Sequence, residues 1–258
     1  MGSPSCRRAL VSCLALLSVA AAGRAHAGSA AGNPPPVLTL GMMAEMPGET
    51  VERHIDFVRY VARKLFPGGG AQGAVRIAAT PDALVKLVDE GRIHFYMESL
   101  YATYVVNERT GARLLLRRWK KGRGEYRSVI FARRDSGLRD LDNLRGKLVV
   151  FEDAGSTSGY ALPRSLLVRK GFVLDEKPSF DAAVAAGEIG YLFAHGDEEN
   201  VVNWVLLGRA AAGALSDAGL DALDPRRRAG LVVLAETQAV PRHLVSVSPA
   251  VPPIWRRA

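Results

Sequence analysis

From Val37 to Val247 the chain alternates short β-branched and aliphatic runs with stretches of helical spacing, and few folds accommodate that alternation. Val37 to Leu40 reads as a strand closed by Gly41. Glu49 to Phe66 then places Val51, Ile55, Val58, Val61, Ala62 and Leu65 at helical intervals, until Pro67-Gly68-Gly69-Gly70 stops the helix. Val75 to Ala79 is a second strand. Thr80-Pro81-Asp82 opens the next helix, with Thr80 as N-cap and Pro81 in the first turn, and Gly91 closes it. Ile93 to Met97 is a strand and Ser99 to Asn107 a helix. The pattern continues through strands at Ser128–Ala132, Gly187–Phe193, Ala211–Leu215, Val232–Leu234 and Leu244–Val247, with a helix at Glu198–Gly208. The expectation is an α/β protein. Arg113 to Arg127, dense in arginine and lysine, reads either as a solvated turn or as a positive rim beside an anion site.

The clearest strand, Lys147 to Asp153, runs directly into Ala154-Gly155-Ser156-Thr157-Ser158-Gly159 and then a helix ending at Lys170-Gly171. A strand feeding a helix through Ser-Thr-Ser sets three hydroxyls and several unpaired backbone N–H groups at the positive pole of a helix dipole. Such an end binds an anion through directed hydrogen bonds without a buried cation. Three donors in a row suit a group with three acceptor oxygens, as a phosphonate or phosphate has and a carboxylate lacks. A single capping residue would need no ligand, so the same residues also fit an ordinary helix start.

Residues 1–27 read as an export signal. Arg7-Arg8 supplies the positive start, Ala9 to Ala22 the short apolar stretch, and Ala25-His26-Ala27 the small residues at a cleavage site. The pair Arg7-Arg8 leaves the general and twin-arginine export routes both open. Gly28 to Pro36 reads as a flexible lead-in. Both cysteines, Cys6 and Cys13, fall inside the signal, so the mature chain would hold no thiol, no disulfide and no cysteine metal site. The signal carries three arginines and no acid, so 34 basic residues become 31 against 26 acids, a mature charge of +5. That bias attracts small anions and does not call for nucleic acid. No later run approaches the roughly 18 apolar residues of a membrane helix. The mature histidines His54, His94, His195 and His243 show no metal-ligand spacing.

Three segments together resemble one family. They are Tyr126-Arg127-Ser128-Val129-Ile130-Phe131-Ala132-Arg133-Arg134-Asp135-Ser136-Gly137, then Leu141-Asp142-Asn143-Leu144-Arg145-Gly146-Lys147, then Ser156-Thr157-Ser158-Gly159-Tyr160 with Pro163. The chain is similar to the periplasmic phosphate-, phosphite- and phosphonate-binding proteins of ABC importers, most closely in this central block and less so before Arg113 and after about Leu223. The resemblance implies a two-lobed periplasmic binding protein of type II, a Venus flytrap closing on its ligand. It also implies a small phosphorus oxyanion as ligand, a membrane ABC permease as partner, a periplasmic monomer, no cofactor and no nucleic acid. The first lobe would span 37–128, completed by 240–258, and the second 129–239, with Ser128–Ala132 and Leu244–Val247 crossing between them.

By the same resemblance Ser156, Thr157 and Ser158 hold the oxyanion, Tyr126 lines the cleft, His195 adds a contact, and Asp217 is the acidic or polar residue beyond Gly213. Some members carry a second cleft tyrosine where this chain has Pro81 or Asp82. Glu98-Ser99 stands where Gly or Asn and Pro are frequent, and an acid at Glu98 suits a ligand with an amino group. Each residue also has a plainer reading: Tyr126 packs at a strand start, His195 sits in a surface loop, Asp217 caps a helix, Glu98 is solvated. A sensor of the same fold remains an alternative. So does a serine hydrolase using Ser156 or Ser158 with His195 or His243, although the turn lacks the G-x-S-x-G register of a nucleophile elbow.

Overall fold

The computed structural model describes residues 36–252, apart from 45, 121 and 195–197. The 1–27 signal, nearly all of the lead-in and His195 therefore lie outside the described residues. The chain begins β1 (Val37–Met43), α1 (Pro47–Leu65), β2 (Gln72–Ala78), α2 (Pro81–Asp89), β3 (Phe95–Ser99), α3 (Leu100–Thr110) and β4 (Arg113–Arg118). A two-residue strand β5 (Glu125–Tyr126) precedes β6 (Ser128–Arg133), β7 (Lys147–Phe151), α4 (Leu162–Arg169), β8 (Val173–Glu176) and β9 (Glu188–Phe193). The rest is α5 (Glu198–Leu206), β10 (Ala212–Ser216), α6 (Asp217–Asp221), α7 (Pro225–Ala229), β11 (Leu231–Glu236), the two-residue β12 (Val240–Pro241) and β13 (His243–Val247).

The strands form two sheets. The first has order β2-β1-β3-β13-β4, with β1 parallel to β2 and β3, and β13 antiparallel to β3 and β4. The second has order β11-β6-β10-β7-β9-β8, parallel from β10 through β8 and antiparallel at β6 and β11. Parallel strands need cover on both faces, and the cores supply it. In the first sheet Leu38, Leu40 and Met42 pack with Val58 and Ala62 of α1, while Leu84, Val85 and Val88 of α2 join Val106 of α3 behind the other face. In the second, Val150 and Leu215 pack on Val201, Val202 and Val205 of α5, and Val149 and Phe151 on Leu167 of α4. No described helix is long and apolar enough to cross a membrane.

Local chemistry explains several boundaries. Thr80 caps α2 by accepting from Ala83 N at 3.2 Å, with Pro81 following it in the first turn. α3 ends on Gly111, whose φ of 70° falls in the left-handed region where glycine is at ease. Gly73 marks where β2 presses on α1: an added Cβ would lie 2.6 Å from Arg59 N and 2.9 Å from the Val58 carbonyl carbon. Backbone cannot yield as a side-chain tip can, so Gly73→Ala is expected to destabilise by about 1–3 kcal/mol. Urea titration of both proteins checks this, and a change under about 0.5 kcal/mol, the size of an ordinary surface substitution, would refute the close packing.

Two expectations need correcting. The arginine-rich segment is not simply a turn, because Arg113–Arg118 forms β4 at the margin of the first sheet, with Leu114, Leu115 and Leu116 all exposed. Its side chains show no alternation of burial, which is why the usual strand signal is absent. Nor do Ser128–Ala132 and Leu244–Val247 cross between the sheets. They lie inside them, and a separate pair, β5 with β12, stands at the passage, with Tyr126 opposite Val240 and Glu125 opposite Pro241.

Candidate anion-binding cleft

The Ser-Thr-Ser turn leaves the carboxyl end of β7 and winds a π-helical turn over Thr157–Ala161 before α4. Its three hydroxyls do different work. Ser156 is the cap: its Oγ accepts from Gly159 N at 2.9 Å and donates to Glu152 Oε2 at 2.6 Å. Gly159 must be glycine, since a Cβ there would collide with the Glu152 side chain beneath the turn. Thr157 and Ser158 are buried and turn the other way. Thr157 Oγ1 accepts from the Tyr101 backbone N–H at 2.8 Å, and that amide belongs to the first turn of α3 in the first lobe. The Ser158 carbonyl accepts from Ser128 Oγ at 2.6 Å, which ties the turn to β6.

Tyr126 completes this cluster from β5. It is buried, and its hydroxyl is hydrogen-bonded with the side chains of Thr157 and Ser158. Burial pushes its pKa up to about 12, against the opposing pull of those hydrogen bonds and of the nearby Arg242 charge, so the phenol stays protonated and available as a donor. Arg242 lies over the Tyr126 ring, its guanidinium carbon 5.1 Å from the ring centroid. Thr157, Ser158, Tyr126, the Tyr101 amide and Arg242 thus converge where the two lobes meet. Gly155 brings the lobes close there, since an added Cβ would lie 3.2 Å from Pro81 Cγ and 3.5 Å from Met43 Cε. An open groove lined by Leu100, Tyr101, Tyr104, Thr157, Tyr160 and Arg164 runs along this junction.

The remaining candidates are placed differently. Glu98, at the end of β3, is buried and accepts a hydrogen bond from Met43 N through Oε1. Burial raises its pKa to about 7, with a further push from the Asp153 charge in the other lobe. It is neither solvated nor a fully charged acid at neutral pH. Asp217 is the first residue of α6. Its Oδ1 accepts from Ala218 N at 2.8 Å and Arg127 N at 3.4 Å, and Oδ2 lies 3.9 Å from Arg123. The cap of that helix is Ser216, which accepts from Gly219 N at 3.0 Å and donates to Glu198 at 2.8 Å. Among the described residues, no group of three or more His, Cys, Asp or Glu side chains could hold a metal ion.

Sequence reasoning missed Arg242 and the Tyr101 amide. The triplet Pro241-Arg242-His243 beside a crossover was the available signal for the first. A backbone donor such as Tyr101 N–H leaves none. Three residues of the arginine-rich segment make exposed ion pairs, Arg117 with Glu125, Arg123 with Asp221 and Arg127 with Glu236. Arg118, half-buried, is the one whose charge falls on Arg242.

Comparison with known proteins agrees with this architecture. The sequence model of a family described as the periplasmic substrate-binding protein of phosphonate ABC transporters matches residues 41–258. Among solved structures, XAC2383 from Xanthomonas citri bound to chloride is 28% identical, with TM-score 0.79 over 86% of this chain and 80% of that one. The same protein bound to ATP gives 29% identity and TM-score 0.77 over the same shares, 86% and 80%. PhnD1 from Prochlorococcus marinus (MIT 9301), in complex with methylphosphonate, is 16% identical with TM-score 0.61, over 84% of this chain and 78% of that one, a likeness of fold. No curated protein matches the sequence. With a two-lobed α/β fold of the type II periplasmic binding proteins and a family match over nearly all of its described length, the chain belongs to the phosphonate periplasmic substrate-binding protein family of ABC transporters.

Proposed function

We propose that the protein captures a phosphonate or a phosphate-like oxyanion in the periplasm and presents it to an ABC permease, after export through a cleaved signal at residues 1–27. The observation that carries this is the convergence of Thr157, Ser158 and the Tyr126 hydroxyl on one spot between the lobes, with Arg242 beside it. Hydroxyls can turn their protons toward a ligand, and three of them match a tetrahedral head with three acceptor oxygens. A binder of a relative's anions fits the same view, since XAC2383 holds chloride in one structure and ATP in another. In this reading Thr157, Ser158 and Tyr126 contact the oxyanion directly and Ser156 holds the turn that presents them. His195 stays a candidate contact, and Asp217 positions the Tyr126-Arg127 backbone. Glu98, buried at the end of β3 with its carboxylate on the Met43 amide, stays a candidate for tuning selectivity by its charge. Ser156 giving its proton to Glu152, not to a histidine, favours binding over hydrolysis.

A thermal-shift panel tests the ligand class. Methylphosphonate, phosphite and phosphate are each compared with sulfate, acetate, glucose and arginine on the mature chain. Ligand at 100 times its dissociation constant adds about 2.7 kcal/mol, so at least one phosphorus oxyanion should raise the melting temperature by several degrees. A shift confined to another class would overturn the reading.

A further inference from the structure

Beside the hydroxyl cluster, on the first lobe, lies a group of buried basic side chains with polar atoms that the hydroxyl contacts leave unpaired. Arg242 is only 8% exposed, and its Nε and Nη1 are buried without a hydrogen-bond partner. His243 Nδ1 and His54 Nε2 are buried and unpartnered as well. His243 stands opposite Ser99 on one side and Arg118 on the other, so it borders the point where β3 gives way to α3. Burial, and then the charges of Lys120, Arg118, Arg242 and His54, hold its pKa down at about 3, so the imidazole is neutral beside the guanidinium. Neighbouring acids are engaged elsewhere: Glu125, opposite Pro241, with Arg117 at 3.3 Å, Glu152 with Ser156 at 2.6 Å, and Glu98, opposite Leu244, with the Met43 amide.

A buried guanidinium without a carboxylate is costly and persists in structures where something else supplies the negative charge. Tyr126 fixes where that charge would sit. Its ring face carries Arg242 while its hydroxyl meets Thr157 and Ser158, so one ring separates the guanidinium from the oxyanion turn. We propose that Arg242, with His243 beside it, is a second anion subsite of the cleft, and that the solute carries a second anionic group next to its phosphorus head. The identity of the first group rests on the function proposed above; the second group is inferred from Arg242 and His243 alone. A solute of the phosphonocarboxylate or diphosphonate class fits both positions. Arginine is suited to the second, because its fork reaches two oxygens at once.

Calorimetry in chloride-free buffer decides it, with methylphosphonate, phosphonoacetate and malonate titrated into the wild type and Arg242→Met. The wild type should bind phosphonoacetate on the order of 10- to 100-fold more tightly than methylphosphonate, the worth of a charge-assisted hydrogen bond or two. Arg242→Met should erase that advantage, leaving phosphonoacetate bound no more tightly than methylphosphonate by the same variant. The ligand-free variant should also melt no lower than the wild type, because methionine removes an unpaired buried charge. Equal affinities for the two phosphonates in the wild type would overturn the proposal. So would an advantage that survives in Arg242→Met, or a lower ligand-free melting temperature with the advantage intact, which would mark the arginine as a packing element. Failure of the phosphorus reading looks different: malonate would then outbind both phosphonates. In that case a loss of malonate binding in Arg242→Met upholds the subsite, and unchanged malonate binding overturns it.

Discussion

Replacing Thr157 and Ser158 together by alanine is expected to weaken phosphonate binding by roughly 2–4 kcal/mol and to leave the fold intact. Hydrogen bonds to a charged group are worth about 1.5–3 kcal/mol each, and the Tyr126 hydroxyl offsets part of the loss. The double variant also removes the acceptor of the Tyr101 amide, the bond that joins α3 to the turn. Ser156→Ala is the control. Its hydroxyl is held between Gly159 N and Glu152, so its removal should cost stability, about 1 kcal/mol as for other caps, with far less effect on affinity. Calorimetry with methylphosphonate, accompanied by circular dichroism, measures both quantities. Unchanged affinity in a folded double variant would reduce both hydroxyls to helix-start residues.

Glu98 is expected to make the protein less stable as pH rises from about 4.5 to 7. Its pKa is raised from 4.5 in the unfolded chain to about 7 in the fold, so the native state binds the extra proton across that window. The sign follows: the stability is fully present below pH 4.5, fades through pH 7 and is gone above it. The difference of pKa corresponds to about 3 kcal/mol, an order-of-magnitude figure. Glu98→Gln keeps an oxygen for the Met43 amide and cannot ionise. It should therefore match the wild type near pH 4.5 and exceed it by up to about 3 kcal/mol at pH 8. Urea denaturation across that range is the test, and parallel pH profiles for the two proteins would sink it. The same titration bears on recognition. A carboxyl about half protonated at neutral pH attracts an amino group weakly and repels an anion weakly, which tempers the expectation of an aminated ligand.

What the sequence made legible was local. Thr80-Pro81 gave the start of α2 because cap and proline act within one turn. The hydroxyl turn was readable because a strand, a glycine and three hydroxyls stand consecutively, and Tyr126 came from the family resemblance. The roles within the turn were not readable. Whether Ser156 or Ser158 caps depends on the π-helical winding, which no periodicity announces. Arg242 reaches the cleft only because β12 pairs with β5, a partner more than a hundred residues earlier and two residues long, too short to leave a pattern. The burial of Glu98 likewise depends on the Met43 amide, which β1 brings beside β3.

β4 carries a consequence for solubility. Among the described residues it is an outer strand of its sheet, hydrogen-bonded to β13 alone, and its Leu114-Leu115-Leu116 run is exposed along with the neighbouring Trp119. An unpaired edge of that kind is a template on which a second copy could add its own strand and begin a fibre. The arginines at either end oppose this. If two copies met antiparallel and in register, Arg113 of one would face Arg118 of the other, and like charges directly opposite each other destabilise a ladder. The basic residues that bracket the leucines thus act as gatekeepers, adding a charge penalty to any in-register pairing of this open edge with another copy.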